Sequence, residues 1–544
     1  MLFNSYEFIF AFLPMTLAGF YVLGSSVSRQ WALRWVIAAS LCFYAWWRPF
    51  NVLLIAPSIL INFGIARVLQ RLSGNEKQRS LSRAALLAGI AFNVAFLGYF
   101  KYANFLIDSV NDVFGTSFVL THVILPLGIS FITFQKIAFL IDVHGGRVKS
   151  FAFQDYCLFV LFFPQLIAGP IVHYREMMPQ FHEASCRFDK DDMSVGVTLF
   201  FTGLFKKAFL ADGIAPYVTG LFSQAAAGGK ISLLEGWMAA IGFTLQIYFD
   251  FAGYSDMALG LGRLFGVRLP PNFNSPLRAS SIIDFWLRWH MTLTRFLTAY
   301  IYNPLVLWLT RRRAAGGRSG FGGRNTSVGA FVQLLMLPTL LTMFVSGLWH
   351  GAGYLFVLWG LIHGVYLTIN HGWRLIALRW WPNRHSYTAV MGPIGSVLTF
   401  VSVVVAMVLF RANTMTAAIS LLKGMIGLNG VSLPRPIHDR LSLLIPWLNS
   451  MGVTADAVDG QSFVFLVAWL IVLLAIALAC PNTLQVLAAY EPALGVKRRL
   501  DHAGMGGTRI EWNPSLVWAV GTSVVAAIAV LSLSGQSEFL YWQF

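Results

Sequence analysis

Residues 325–373 read NTSVGAFVQLLMLPTLLTMFVSGLWHGAGYLFVLWGLIHGVYLTINHGW, 49 positions without an Asp, Glu, Lys or Arg. That is about twice the ~20 apolar residues a helix needs to cross the hydrocarbon core of a bilayer. The run therefore reads as two spans, and it sets the class of the chain. In its middle sits Ser346-Gly347-Leu348-Trp349-His350-Gly351-Ala352-Gly353. A histidine at membrane depth is costly to keep there, and such a residue is a functional-site candidate by default.

The rest of the chain repeats the pattern. Its 544 residues are 57% hydrophobic and 11% charged, against about 25% charged in a soluble domain. Apolar windows of span length recur at 6–24, 31–47, 50–69, 84–105, 118–142, 153–173, 193–222, 232–262, 281–309, 327–347, 352–376, 389–411, 462–480 and 514–534. Those at 118–142, 153–173 and 281–309 contain Pro, Gly or charge and read as broken or re-entrant, which is tolerated only inside protein or beside a polar cavity. The expectation is an all-α polytopic membrane protein of about 11–13 transmembrane or re-entrant helices, one domain over 1–544. The first window lacks the basic start and small-residue cleavage site of a signal peptide, so it is expected to stay as the first span.

Net charge is +16. In a membrane protein this reflects Lys and Arg collected in cytoplasmic loops against an anionic leaflet, not nucleic acid binding. Three clusters are expected inside: Arg67 to Arg83, Arg311-Arg312-Arg313 with Arg318 and Arg324, and Lys497-Arg498-Arg499 with Arg509. The Gly- and Arg-rich stretch 311–325 reads as a cytoplasmic loop. The more polar stretch 429–461, with Pro434, Pro436 and Pro446, reads as an extramembrane excursion. Cys42, Cys157, Cys186 and Cys480 form neither a disulfide framework nor a zinc ribbon, and no metal site is expected.

Polar residues inside apolar segments carry the functional signal. Gln246, Asp250, Gly253 and Tyr254 fall at i, i+4, i+7 and i+8, placing amide, carboxylate and phenol on one helix face. That face either lines a polar passage or locks helices through a buried ion pair. In Ser281 to Thr292, Ser281 and Asp284 resemble a capping box and Asp284–Arg288 an i,i+4 pair. The composition of Asp284, Trp286, Arg288, Trp289 and His290 favours an interfacial aromatic belt, and His290 is either a polar partner inside the bundle or a site residue. His350 is either a satisfied structural histidine or a general base, a neutral imidazole able to take a proton from an attacking hydroxyl. Gly347, Gly351 and Gly353 clear space around it, and His363 follows beyond the glycines, which are placed to break the helix. The segment His182-Glu183-Ala184-Ser185-Cys186 is not His-Glu-x-x-His. Leu127-Gly128-Ile129-Ser130-Phe131 lacks the closing glycine of a nucleophile elbow.

Seven stretches, in order, carry a resemblance: Met1-Leu2-Phe3-Asn4-Ser5 to Pro14; Leu125-Pro126-Leu127-Gly128-Ile129-Ser130-Phe131 to Val143; Phe162-Phe163-Pro164-Gln165 to Ile171; Tyr248-Phe249-Asp250-Phe251-Ala252-Gly253-Tyr254-Ser255-Asp256; Asn272-Phe273-Asn274-Ser275-Pro276; Asp284-Phe285-Trp286 to Trp289-His290; and Gly347-Leu348-Trp349-His350-Gly351. Together they resemble the membrane-bound O-acyltransferase family, and within it the bacterial alginate O-acetyltransferase group. The resemblance implies a ring of helices around a central channel, a catalytic role for His350 and a second functional histidine at His290. Asp250, Tyr254, Asp256, Asn274, Trp286 and Trp349 are the candidates for lining the passage. Met291-Thr292-Leu293-Thr294 stands where Ile-Ser-Leu-Ser is commoner, and Leu287 where a second Arg is usual; neither change touches a histidine.

What the resemblance implies is an O-acetyltransferase of the bacterial inner membrane with acetyl-CoA as donor. It would serve an exopolysaccharide, alginate first and bacterial cellulose second. Its expected partners are periplasmic SGNH-like acetyltransferases, the exopolysaccharide synthesis machinery and membrane lipids. A transporter or flippase that uses buried His and Asp, or an acyltransferase acting on a lipid or protein, is the alternative.

Overall fold

The computed structural model describes the chain apart from residues 74–75, 120–124, 184–185, 319, 322–326, 382, 442–443, 451, 457–459, 497–509, 534–539 and 541–544. Among the described residues, seven helices are long and apolar enough to cross a membrane: Phe8–Ser26, Phe50–Leu72, Arg79–Phe114, Lys190–Ala226, Val328–His350, His385–Arg411 and Gln461–Ala479. The remaining windows of the sequence became shorter, broken or charged helices, and the causes are local. Among the described residues of window 118–142, the helix is Ile129–His144, behind Gly128 at φ 68°. Window 153–173 stops at Leu161 and resumes for a single turn, Phe163–Leu166. Window 281–309 is cut into Ile282–Trp286, Met291–Leu297 and Asn303–Ala315.

Among the described residues, the longest α-helix uninterrupted by a π-helical turn, Leu233–Leu264 with 32 residues, runs buried through the centre. At ~1.5 Å per residue it is about 48 Å long. Ser232 and Glu235 start it with a reciprocal capping box. It carries Glu235, Asp250, Asp256 and Arg263, and so is not an apolar span. It packs on Lys190–Phe205 through paired glycines: a Cβ on Gly203 would lie 2.5 Å from the Gly253 carbonyl, and one on Gly260 2.6 Å from that of Gly196. The second close crossing joins Leu337–His350 to Tyr354–Trp380, where a Cβ on Gly347 would meet the Phe356 carbonyl at 2.3 Å. Small residues at helix crossings let dispersion contacts form where lipid supplies no hydrophobic drive.

One end of the bundle is basic. Gln70 donates to the Lys149 carbonyl (2.6 Å), His182 faces Asp155 (3.2 Å), and the Gln180 side chain accepts from Arg268 N (2.9 Å). These links bring Arg67–Arg83, Arg147, Arg268 and the end of the central helix to the same side. Arg311 to Ala315, expected in a loop, complete the helix Asn303–Ala315; the cluster Lys497–Arg499 with Arg509 lies outside the described residues. At the opposite end, Leu233 N donates to Gly430 O (3.0 Å). There, stretch 429–461 folds as a parallel strand pair, Val431–Pro434 with Val453–Asp456, and two short helices, Arg435–Arg440 and Ile445–Ser450. The four cysteines are free thiols.

Overpacking a close crossing costs about 1–3 kcal/mol or more. Gly253→Val should therefore lower the thermal midpoint of the detergent-purified protein by several degrees. An unchanged midpoint would contradict the crossing.

Candidate active site

The helix Leu337–His350 ends at His350, because Gly351 turns the chain extended and the next helix starts only at Tyr354. A helix terminus leaves carbonyls without intrahelical partners, and here one neighbouring turn satisfies three of them. Tyr102 Oη donates to Leu348 O (2.7 Å), and Lys101 Nζ donates to Trp349 O (2.5 Å) and His350 O (3.2 Å). That neighbour is the π-helical turn Gly98–Tyr102, a kind of insertion frequent at functional sites. The His350 ring is buried among Trp349 (5.0 Å between centroids), Trp359 (4.9 Å) and Phe410 (5.3 Å).

His290 reaches the same place from the broken segment. It is the residue between Ile282–Trp286 and Met291–Leu297, with φ 43°, a left-handed conformation uncommon outside glycine and asparagine. Segment 272–274 holds it there: Met291 N donates to Asn272 O (2.9 Å) and Asn274 N to Arg288 O (3.0 Å). The side chains fix its tautomer. Ile171 N donates to Thr292 Oγ1 (3.0 Å), Thr292 donates to Asn272 Oδ1 (2.5 Å), and His290 Nδ1 lies 3.3 Å from that same oxygen. Nδ1 therefore carries the proton, and Nε2 is the acceptor nitrogen of the neutral ring. The His290 and His350 ring centroids are 6.4 Å apart.

Two cavities flank the pair. One of ≈ 160 Å³ is lined by Lys101, Gly128, Ser130, Phe131, Trp349 and His350. The other, ≈ 580 Å³, is lined by residues including Asn274, Trp286, Thr292, Thr294, Arg295 and Val496. Lys101 and His350 each stand about 33 Å along a helical span from its basic-loop end, at ~1.5 Å per residue. The smaller cavity is therefore displaced toward the end away from the basic loops. The larger lies beside Leu494, whose N–H bonds Leu269 O just past the basic end of the central helix (2.9 Å). The histidines thus stand between cavities at opposite ends of the bundle.

The other sequence candidates divide. Trp349 lines the smaller cavity; Asn274 and Trp286 line the larger. Asp250, Tyr254 and Asp256 line neither, contrary to expectation, because each is engaged elsewhere. Asp250 faces Lys207 (2.7 Å), Asp256 faces Lys206 (2.6 Å) and accepts from Thr483 (2.8 Å), and Tyr254 stacks on Phe3 (4.9 Å). Both lysines sit on a π-helical turn, Lys206–Ala211, so this face locks helices through ion pairs. The aromatic-belt expectation also fails: Trp286, Trp289 and His290 are buried in the bundle. The Asp284–Arg288 pair forms as read (2.8 Å), with Ser281 accepting from Asp284 N (3.2 Å). Lys101, Tyr102 and Asn272 are the residues that sequence reading missed. Lys101 was legible by the criterion that found His350, since it is the one charge between Arg83 and Asp108.

Comparison with known proteins decides the family. The "Probable alginate O-acetylase AlgI" of Azotobacter vinelandii is 33% identical over 554 residues, covering 100% of both chains. The chain is a membrane-bound O-acyltransferase. The sequence profile of that family matches residues 146–321, which include His290 but not His350. The "Peptidoglycan O-acetyltransferase" of Helicobacter pylori is 37% identical over 461 residues, 80% of this chain and 81% of that protein. The "Teichoic acid D-alanyltransferase" of Bacillus subtilis is 29% identical over 244 residues, 44% and 58% of the two chains. Membership settles the reaction class as O-acyl transfer.

If Asn272 sets the His290 tautomer, Asn272→Leu should lower acyl-transfer turnover by at least about tenfold at unchanged membrane abundance. Turnover equal to the parent protein would remove Asn272 from the site.

Proposed function

We propose that this acyltransferase is an O-acetyltransferase of the bacterial inner membrane that supplies acetyl groups to an extracytoplasmic polysaccharide. The observation that carries the reading is the His290–His350 pair, 6.4 Å apart, between cavities at opposite ends of the bundle. Acetyl-CoA enters the larger cavity from the basic, cytoplasmic end. The acceptor hydroxyl enters the smaller cavity beside Lys101 and Trp349.

A neutral His350 takes the hydroxyl proton as the oxygen attacks the acetyl carbonyl carbon. His290, with its Nε2 presented by Asn272, orients the reacting groups. The new C–O bond forms, the C–S bond breaks, and the departing thiolate takes the proton from the imidazolium. The products are an acetyl ester and free thiol, and the protein returns to its starting state. A positioned base of this kind contributes about 10²–10⁴-fold.

Relatives named for alginate and for peptidoglycan make these two polymers the leading acceptor systems, ahead of cellulose. Among the described residues, stretch 429–461 offers only a strand pair and short helices outside the spans. We assign delivery to the polymer to separate periplasmic acetyltransferases of the SGNH-like type, working with the exopolysaccharide machinery. His350→Ala should abolish polymer O-acetylation, measured as base-released acetate, while membrane abundance stays normal. Retained acetylation in that variant would sink the proposal.

A further inference from the structure

Beside His350 lies a group of buried polar atoms that the reaction as written does not use. His363 is fully buried, and neither of its ring nitrogens has a hydrogen-bond partner among the described residues. The same holds for Ser346 Oγ, Trp286 Nε1 and Trp359 Nε1. These residues are neighbours: His363 lies 4.9 Å from Trp359 and 5.2 Å from Trp286 between ring centroids, and Trp359 lies 4.9 Å from His350. Ser346 stands one helical turn before His350, on the same face of its helix. Trp286 also lines the larger cavity and His350 the smaller. The ring series Trp286, His363, Trp359, His350 therefore crosses the partition between them.

A buried polar group without a partner destabilises a fold, and an apolar side chain of similar shape would be neutral or better. Four such groups in the ring series beside His350 and on the helical turn before it are best understood as a site held ready at a cost in stability. Their chemistry names the ligand. An indole N–H only donates, a neutral imidazole donates once, and a hydroxyl can donate. A donor-rich set of this kind suits an acceptor-only oxygen, and the contacting rings exclude a long chain.

We propose that His363, Trp286, Trp359 and Ser346 form the receiving site for the carbonyl of a short acyl group and donate to its oxygen as negative charge develops there. The assignment rests on the acetyl-transfer reading and deepens it. Donors placed where charge develops act mainly on the chemical step.

The test uses full-length protein carrying His363→Leu and His363→Gln. Base-released acetate from cell-surface polymer should fall at least about tenfold in His363→Leu and be partly restored in His363→Gln, which keeps a donor. The thermal midpoint of purified His363→Leu should equal or exceed that of the parent. Wild-type acetate release in His363→Leu would overturn the assignment. So would lost acetate release with a lowered midpoint, which would make His363 a packing residue. Failure of the parent protein to turn over radiolabelled acetyl-CoA would instead overturn the donor reading, because the cellular acetate measurement does not depend on the donor's identity. Where the parent does turn over, the His363→Leu loss should fall on kcat and not on donor KM.

Discussion

Hydrogen bonding without water governs this molecule. In hydrocarbon a backbone or side-chain polar group must find a partner within the protein. The end of the helix Leu337–His350 meets that demand with Lys101 and Tyr102, which take up the carbonyls of Leu348, Trp349 and His350. The same contacts fix where the His350 ring can stand. On the other side, Ile171 N donates to Thr292 and Thr292 donates to Asn272, whose Oδ1 also accepts from His290 and so decides which of its nitrogens is an acceptor. Satisfying the backbone and aiming the histidines are thus one structural task. It is done by irregular segments, a π-turn and a left-handed residue, that a uniform helix could not replace.

Glycine supplies the second half of the arrangement. Gly347 lets its helix lie against the one carrying Trp359 and His363, and Gly203 with Gly253 lets the central helix approach its neighbour. These close approaches bring the broken segment 272–291 and the helix ending at His350 into one place. The ion pairs of Lys206 and Lys207 with Asp256 and Asp250 stiffen the opposite flank. Breaking one partner of such a buried pair leaves an uncompensated charge, so the flank acts as a lock.

Much of this was legible in the sequence, and the failures have physical causes. The length of the apolar runs gave the all-helical membrane class, and Pro, Gly or charge marked the windows that break. His290 entered through the family resemblance, whereas His350 stood out because ionisable groups are rare at membrane depth. Asp250 and Asp256 stood out for the same reason, yet they serve ion pairs. Sequence spacing gives a face but not the lysines opposite it, which come from a turn some fifty residues away in the chain. Trp286 and Trp289 read as an interfacial belt because composition does not report depth. Asn272 carried no signal alone, since its role exists only through contacts with Thr292 and His290.

The central claim is that the histidine pair separates two cavities reached from opposite faces of the membrane. Side-specific labelling with an impermeant thiol reagent tests it, using Ser130→Cys and Thr294→Cys in a background with the four native cysteines replaced. Ser130 lines the smaller cavity and Thr294 the larger. The account predicts that Ser130→Cys reacts only from the face away from the basic loops, and Thr294→Cys only from the basic face. Labelling of both positions from a single face would contradict it.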